Sequence, residues 1–179
     1  MPPNRRRIYL AYGSNLHPRR LEARIGSAPL LGTVSLPGWS LRFDKRGGDG
    51  SAKANLHAAP IPGETAYAAA YEIGRDQLRV LDEYEGCGGG YETFAMTVSL
   101  RGRAVSAFTY LTPSQWLSAD LLPFDWYVDL IASGARFLSF DRAYIRMITA
   151  QSSRADPDHD RARRELCDMG LPLHAHYKR

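Results

Sequence analysis

Apolar residues run unbroken through Ile8-Tyr9-Leu10-Ala11-Tyr12 and stop at Gly13. Such a run predicts a buried strand over residues 6–12. Beyond it a helical pattern covers residues 15–25, with Leu21 and Ile25 on one face and Gly26 as its stop. Strand-like stretches follow at residues 30–36 and 40–43, parted by Pro37-Gly38. The composition of residues 47–51 predicts a mobile loop. Residues 52–58 and 65–73 read as strands joined through Pro60-Ile61-Pro62-Gly63. A second helix over residues 76–84 has Leu78 and Leu81 on one face and ends at Gly86. Residues 91–100 and 103–111 alternate in polarity about Arg101-Gly102, the clearest hairpin in the chain. Helices are predicted over residues 123–137 and 141–151.

Many strands with few helices, and no regular β–α alternation, predict an α+β protein around a mixed or antiparallel sheet. No internal repeat is visible. Residues 1–151 read as one body. Residues 152–179 form a polar, Arg-rich tail in which residues 161–169 are helical and Gly170-Leu171-Pro172 ends the helix. The pattern alone leaves open whether this tail folds across the body, serves oligomerisation or is loosely ordered.

Composition narrows the function classes. At 179 residues, 44% hydrophobic and 23% charged, the chain is long enough for a real core and has ordinary globular usage. No apolar stretch approaches the roughly 20 residues of a membrane span, so no membrane partner is expected. The basic start is followed by too short an apolar run for a signal peptide. Two cysteines, Cys87 and Cys167, make no disulfide framework, and a reducing cytoplasm is the expected location. The net charge is +4, with arginines dense at residues 5–7 and 161–164. No aromatic residues interleave with them as single-strand binding requires, so solvated termini are expected and a nucleic-acid partner is not.

The strand-to-turn segment is the first candidate site. Gly13 permits close backbone approach and unusual dihedrals, and Ser14 and Asn15 are residue types that cap a helix. A helix starting there would aim free N–H groups at a carboxylate or phosphate. The same residues fit a purely structural turn.

Tyr12-Gly13-Ser14-Asn15-Leu16 resembles the signature loop of the γ-glutamylcyclotransferase-like (AIG2-like) superfamily. Leu81-Asp82-Glu83-Tyr84-Glu85-Gly86, with Tyr91 after it, resembles that family's acidic motif. Tyr127 followed by Gly134-Ala135 resembles its Tyr-x6-Gly-Ala segment. The three stand in order and span roughly residues 8 to 148. The resemblance implies a strongly curved, barrel-like mixed sheet with helices packed outside. It also implies an enzyme that releases 5-oxoproline and a free amine from a small γ-glutamyl compound, without cofactor or metal. The substrate's own α-amine attacks its γ-carbonyl, so the enzyme supplies proton transfer rather than a nucleophile.

On that reading Glu85 is the catalytic acid/base, and Glu83, two residues away, points to the opposite side of the helix. Tyr9, Ala11, Tyr12, Gly13, Ser14, Asn15 and Tyr127 bind substrate, the turn holding its α-carboxylate or the developing oxyanion. For Glu85 the bland alternative is a solvated acidic helix end, and for Tyr127 an amphipathic core tyrosine. Tyr91 and Tyr110 align with tyrosines of relatives, and core packing is expected of both. Cys87 lacks a paired histidine. Asp156, Asp158, His159 and Asp160 lack the glycine and distal glutamate of a calcium loop and read as solvated tail. His174 and His176 are two ligands at most, and Gly88-Gly89-Gly90 lacks the Lys-Ser/Thr of a phosphate loop.

The chain departs from the family pattern at Ala68, where glycine is usual, and at residues 137–140, where Gly-Leu-Pro is usual. A non-catalytic carboxylate-binding module on the same fold is therefore the alternative function. The leaving amine and the oligomeric state, monomer or homodimer, stay open.

Overall fold

The computed structural model describes residues 6–59 and 62–178. The expectations that rest on Arg5 and on Pro60-Ile61 lie outside the described residues. The strands are β1 (Arg7–Ala11), β2 (Leu30–Pro37), β3 (Trp39–Arg46), β4 (Ala52–Ala58), β5 (Thr65–Ile73), β6 (Glu92–Leu100) and β7 (Arg103–Leu111). The helices are α1 (Pro18–Ile25), α2 (Arg75–Glu85), α3 (Asp125–Phe137), α4 (Arg142–Thr149) and α5 (His159–Asp168).

Five strands form one sheet in the order β2-β5-β1-β7-β6. The continuous apolar run of β1 is explained by its place at the centre. It is flanked by β5, antiparallel with Tyr9 opposite Tyr71, and by β7, parallel with Tyr9 opposite Phe108. The sheet is therefore mixed. The two edge strands β2 and β6 touch one another, which curls the sheet into a half-barrel, as the family resemblance implied. In β5 the methyls of Ala66, Ala68, Ala69 and Ala70 are all fully buried. Small side chains on both faces let the layers beside a tightly curled strand approach closely. β3 and β4 pair separately as a two-stranded ladder. The predicted hairpin is β6–β7, with Leu100 opposite Arg103 and positive φ at both Arg101 and Gly102. That is the primed turn whose twist matches its strands.

Two local expectations need correction. Helix α1 begins at Pro18, not at residue 15, and its N-cap is His17, whose Nδ1 accepts the Arg19 N–H at 3.2 Å. Pro18 suits a first helical position because its missing N–H is needed by no partner. Ser14 and Asn15 instead sit inside a turn closed by the Leu16 N–H on the Gly13 carbonyl at 3.0 Å. Residues 47–51 are a loop, as expected, and hydrogen bonds close it. The Gly47 N–H meets the Ser51 carbonyl, and Asp49 binds Ser51 and Lys53. Asp156 is not solvated but fully buried. Its carboxylate accepts from the Trp126 indole at 2.8 Å and from Arg161 at 2.6 and 2.7 Å.

Asp156 also shows how residues beyond 151 meet the rest of the chain. Its N–H donates to the hydroxyl of fully buried Tyr177, which in turn donates to Asp125 at the start of α3. Arg20 of α1 pairs with Glu165 of α5. Ala162 and Leu166 of α5 are buried beside α3.

Candidate active site

One cleft gathers most of the residues singled out in the sequence. Its walls are Tyr9 from β1, the turn Tyr12-Gly13-Ser14-Asn15, Ala54 from β4, Glu85 at the last position of α2, Tyr91, Tyr110 from β7 and Tyr127 from α3. Its space is about 290 Å³, counting the part open to solvent. Glu85 reaches this place because α2 stops directly after it. Gly86 takes up a left-handed conformation and the Cys87 N–H closes on the Asp82 carbonyl at 2.8 Å.

The Glu85 carboxylate faces the turn. Asn15 Nδ2 donates to Glu85 Oε1 at 2.8 Å across 70 residues of sequence, and to the Tyr9 hydroxyl at 3.3 Å. Burial pushes the Glu85 carboxyl above its ordinary value. The cations of Arg24 and Lys45, the Asn15 hydrogen bond and the Arg20 cation pull the other way without cancelling that effect. Glu83 is exposed, as its helical phase predicted.

The tyrosines are neutral and tethered. Tyr12 donates to the Tyr110 carbonyl at 2.7 Å, Tyr91 to the Ala54 carbonyl at 2.6 Å, and Tyr110 to Asp82 Oδ1. The Tyr127 hydroxyl accepts the Ala54 N–H at 3.1 Å. Burial first, then the Glu85 charge, pushes the phenols of Tyr9 and Tyr12 well above the ordinary range. Burial likewise raises Tyr91, and takes Tyr127 up to about 12.

The expected anion site at a helix N-terminus is absent, because α1 begins three residues past Asn15. The turn itself presents amides. The N–H groups of Gly13, Ser14 and Asn15, outside any strand or helix, have no protein acceptor among the described residues. Gly13 has no unusual dihedral; what its lack of a side chain provides is space. A Cβ there would stand 3.2 Å from the Ala54 methyl and 3.6 Å from the Tyr127 hydroxyl. Ala11 does not line the cleft. It shares a face of β1 with Tyr9, but its fully buried methyl is too short to reach.

Ala54, Arg24 and Lys45 were not singled out in the sequence. Tyr91 and Tyr110 are buried, as expected, and line the cleft as well. Their alignment with tyrosines of relatives was the clue. Neither departure from the family pattern lies on the wall. Ala68 is buried opposite Val34 in β5, and Phe137 and Phe140 pack on His17 and on Tyr67 and Tyr144. Cys87 is exposed, and burial and Asp82 push its thiol up rather than down. Among the described residues no group of three or more His, Cys, Asp and Glu is placed to hold a metal, and no helix is long and apolar enough to cross a membrane.

The chain is 28% identical to the gamma-glutamylcyclotransferase of Mus musculus over 148 residues, covering 80% of this chain and 77% of the mouse protein. The Homo sapiens gamma-glutamylcyclotransferase is 29% identical over 134 residues, 72% of this chain and 70% of that protein. A solved structure of a gamma-glutamyl cyclotransferase superposes with a TM-score of 0.76, covering 89% of this chain and 99% of its own. At 21% identity that likeness is one of fold. The family model described as gamma-glutamyl cyclotransferase, AIG2-like, matches residues 9–128, from the first strand to the cleft tyrosine of α3. With two thirds of its length under that model, the chain belongs to the gamma-glutamyl cyclotransferase, AIG2-like family.

Proposed function

We propose that this protein is a cyclotransferase that converts a small γ-glutamyl compound into 5-oxoproline and a free amine. The observation that carries the reading is Glu85. It is a single carboxylate with a burial-raised pKa, aimed into a cleft across from unpaired backbone amides. Glu85 takes a proton from the substrate's α-ammonium, and the freed amine attacks the γ-carbonyl carbon. The C–N bond to the leaving amine breaks as the carbonyl re-forms, protonated Glu85 returns its proton to that nitrogen, and the attacking nitrogen gives up its second proton to water, which leaves the neutral lactam of 5-oxoproline. A carboxyl raised toward neutrality serves both steps better than an ordinary one.

The amides of Gly13, Ser14 and Asn15 receive the substrate's α-carboxylate or the oxyanion of the tetrahedral intermediate. Tyr9, Tyr12 and Tyr127, held protonated, orient the substrate without adding charge. No cofactor enters this scheme. A Glu85→Gln variant keeps the shape of the site and removes the titrating group. Turnover of γ-glutamyl amino acids or γ-glutamylamines, followed as 5-oxoproline, then falls by roughly 10²–10⁴. Release undiminished in that variant overturns the assignment.

A further inference from the structure

Glu85 is held by an amide whose orientation is dictated from outside the cleft. The Asn15 side chain is 2% exposed. Its Oδ1 accepts from the Arg24 guanidinium at 2.8 Å, while its Nδ2 donates to Glu85 at 2.8 Å and to Tyr9 at 3.3 Å. A guanidinium only donates and a carboxylate only accepts. The amide therefore satisfies both neighbours in one orientation and offends both in the other. Arg24 sits one helical turn past Arg20 on α1, its guanidinium over the Tyr84 ring at 5.3 Å. Tyr84 directly precedes Glu85. Arg24 thus grips the acidic helix at Tyr84 and the turn at Asn15, and the carboxylate is held between them.

We infer that Arg24 is the positioning residue of the acid/base. By locking the Asn15 amide it fixes the Glu85 carboxylate toward the cleft, and it touches neither substrate nor carboxylate. This rests on the proposed role of Glu85 for its catalytic meaning, though not for its geometry. The arrangement places a cation close enough to influence Glu85 without a direct ion pair. A direct Arg–carboxylate pair is bidentate and strongly favours the ionised form, which would leave a poor proton carrier. An interposed amide transmits orientation with one hydrogen bond and weakens the charge effect.

The test is a carbon-13 NMR titration of the Glu85 carboxyl, assigned by its loss in Glu85→Gln. The other charged and titratable groups facing it are Arg20 from α1, Lys45 from β3, and Tyr9, Tyr12, Tyr91, Tyr110 and Tyr127 around the cleft. All are unchanged in Arg24→Met. With the cation and the amide lock both gone, the Glu85 titration moves to higher pH by about half a unit to one unit. Arg24→Lys, which keeps a cationic donor, returns most of that shift.

In 5-oxoproline release, Arg24→Met lowers kcat on the order of tenfold, the value of one hydrogen bond to a charged group. KM changes little. Arg24→Met costs much less when added to Asn15→Ala than it does alone, because the relay is already broken and only the through-space effect of the cation is left to lose. An unmoved Glu85 titration in Arg24→Met, or additive losses in the double variant, overturns the inference. Should the wild-type protein release no 5-oxoproline, the cyclotransferase reading fails while the titration still decides the relay. Melting curves confirm that each variant is folded, and Arg24→Ala serves if Arg24→Met is not.

Discussion

Gly134 is the residue through which the scaffold sets the site, and substituting it by alanine sets two effects against each other. In an ordinary helix interior Gly→Ala stabilises by about 1 kcal/mol, since alanine loses less backbone freedom. Here α3 lies directly on the turn that carries Asn15. A Cβ on Gly134 would stand 2.5 Å from Leu16 Cβ, 2.9 Å from the His17 nitrogen and 3.2 Å from the Leu16 carbonyl carbon. Non-bonded carbons rest at about 3.5–4.0 Å, so helix and turn must part by about 1 Å. None of the three atoms is the end of a flexible side chain. Leu16 is further tied by its carbonyl, which accepts the hydroxyl of fully buried Tyr71 at 2.7 Å.

Overpacking of this kind costs about 1–3 kcal/mol and outweighs the propensity gain. Gly134→Ala is therefore expected to lose about 1 kcal/mol net. For a chain of this size that lowers Tm by about 2–4 °C. The functional effect should be larger than the thermal one. A displacement of about 1 Å in positioning groups can lower turnover about a hundredfold, and the displaced segment holds Asn15 and the free amides. The assay pairs a thermal melt with 5-oxoproline release. A raised Tm with full turnover would show that α3 and the turn do not meet as described, and would refute the argument.

Two further outcomes can be measured. Asp156→Ala leaves the Arg161 cation and the Trp126 indole without their acceptor and is expected to cost about 3 kcal/mol, the lower end for a broken buried pair since Arg161 is partly exposed. Burial tends to raise the Asp156 carboxyl, but its bonds from Arg161, Trp126 and the Asp158 amide hold it below its ordinary value. Its contribution is thus present above the unfolded carboxylate pKa and lost as pH falls through the lower folded one. Asp156→Asn should flatten that acid limb in denaturant titrations, and an unchanged limb would count against the network. For turnover, the acid limb of kcat/KM should lie above the ordinary carboxylate range and be set by Glu85. No limb below pH 10 should belong to a cleft tyrosine, with Tyr127 pushed up to about 12 and the others raised as well. An alkaline limb lost in Tyr127→Phe or Tyr9→Phe would contradict this.

What the sequence made legible follows from how local each determinant is. The run from Ile8 to Tyr12 announces a strand buried on both sides, and β1 is the middle strand. The hairpin is written in alternation and in a two-residue turn. Glu85 and the turn could be singled out because their residues lie in contiguous motifs, and the structure brings them to one cleft. The start of α1 was misplaced because Ser14 and Asn15 have capping chemistry, yet Pro18 offers the better first helical residue. Ala54, Tyr91 and Tyr110 reach the cleft through strand pairing and curling, which no local pattern records. Arg24 was not singled out; its partner Asn15 lies nine residues back, on a turn against which α3 packs. Asp156 looked like part of a solvated tail because burial of a polar residue is decided by distant partners, here Trp126 and Tyr177.

The distribution of charge around Glu85 has its own logic. β3 and β4 set Lys45 opposite Lys53. Lys53 is paired with Asp49 at 2.7 Å. Lys45 has no carboxylate within ion-pair distance among the described residues, and its ammonium lies over the Tyr91 ring at 4.7 Å. Burial lowers its pKa, and Glu85 is the leading charge that opposes the lowering. Glu85 likewise makes no direct ion pair among the described residues, since Arg24 reaches it through Asn15 and Arg20 is engaged by Glu165. Three cations thus surround one carboxylate at one remove, each occupied first by an amide, a ring or another acid. Were any of them to close on Glu85, the carboxylate would be held ionised and could not carry a proton to a leaving amine. Were all of them absent, the upward push of burial on the Glu85 carboxyl would stand unopposed by charge. On the proposed function, this opposition of burial and cations at one remove suits a carboxylate that must first accept a proton and then return it.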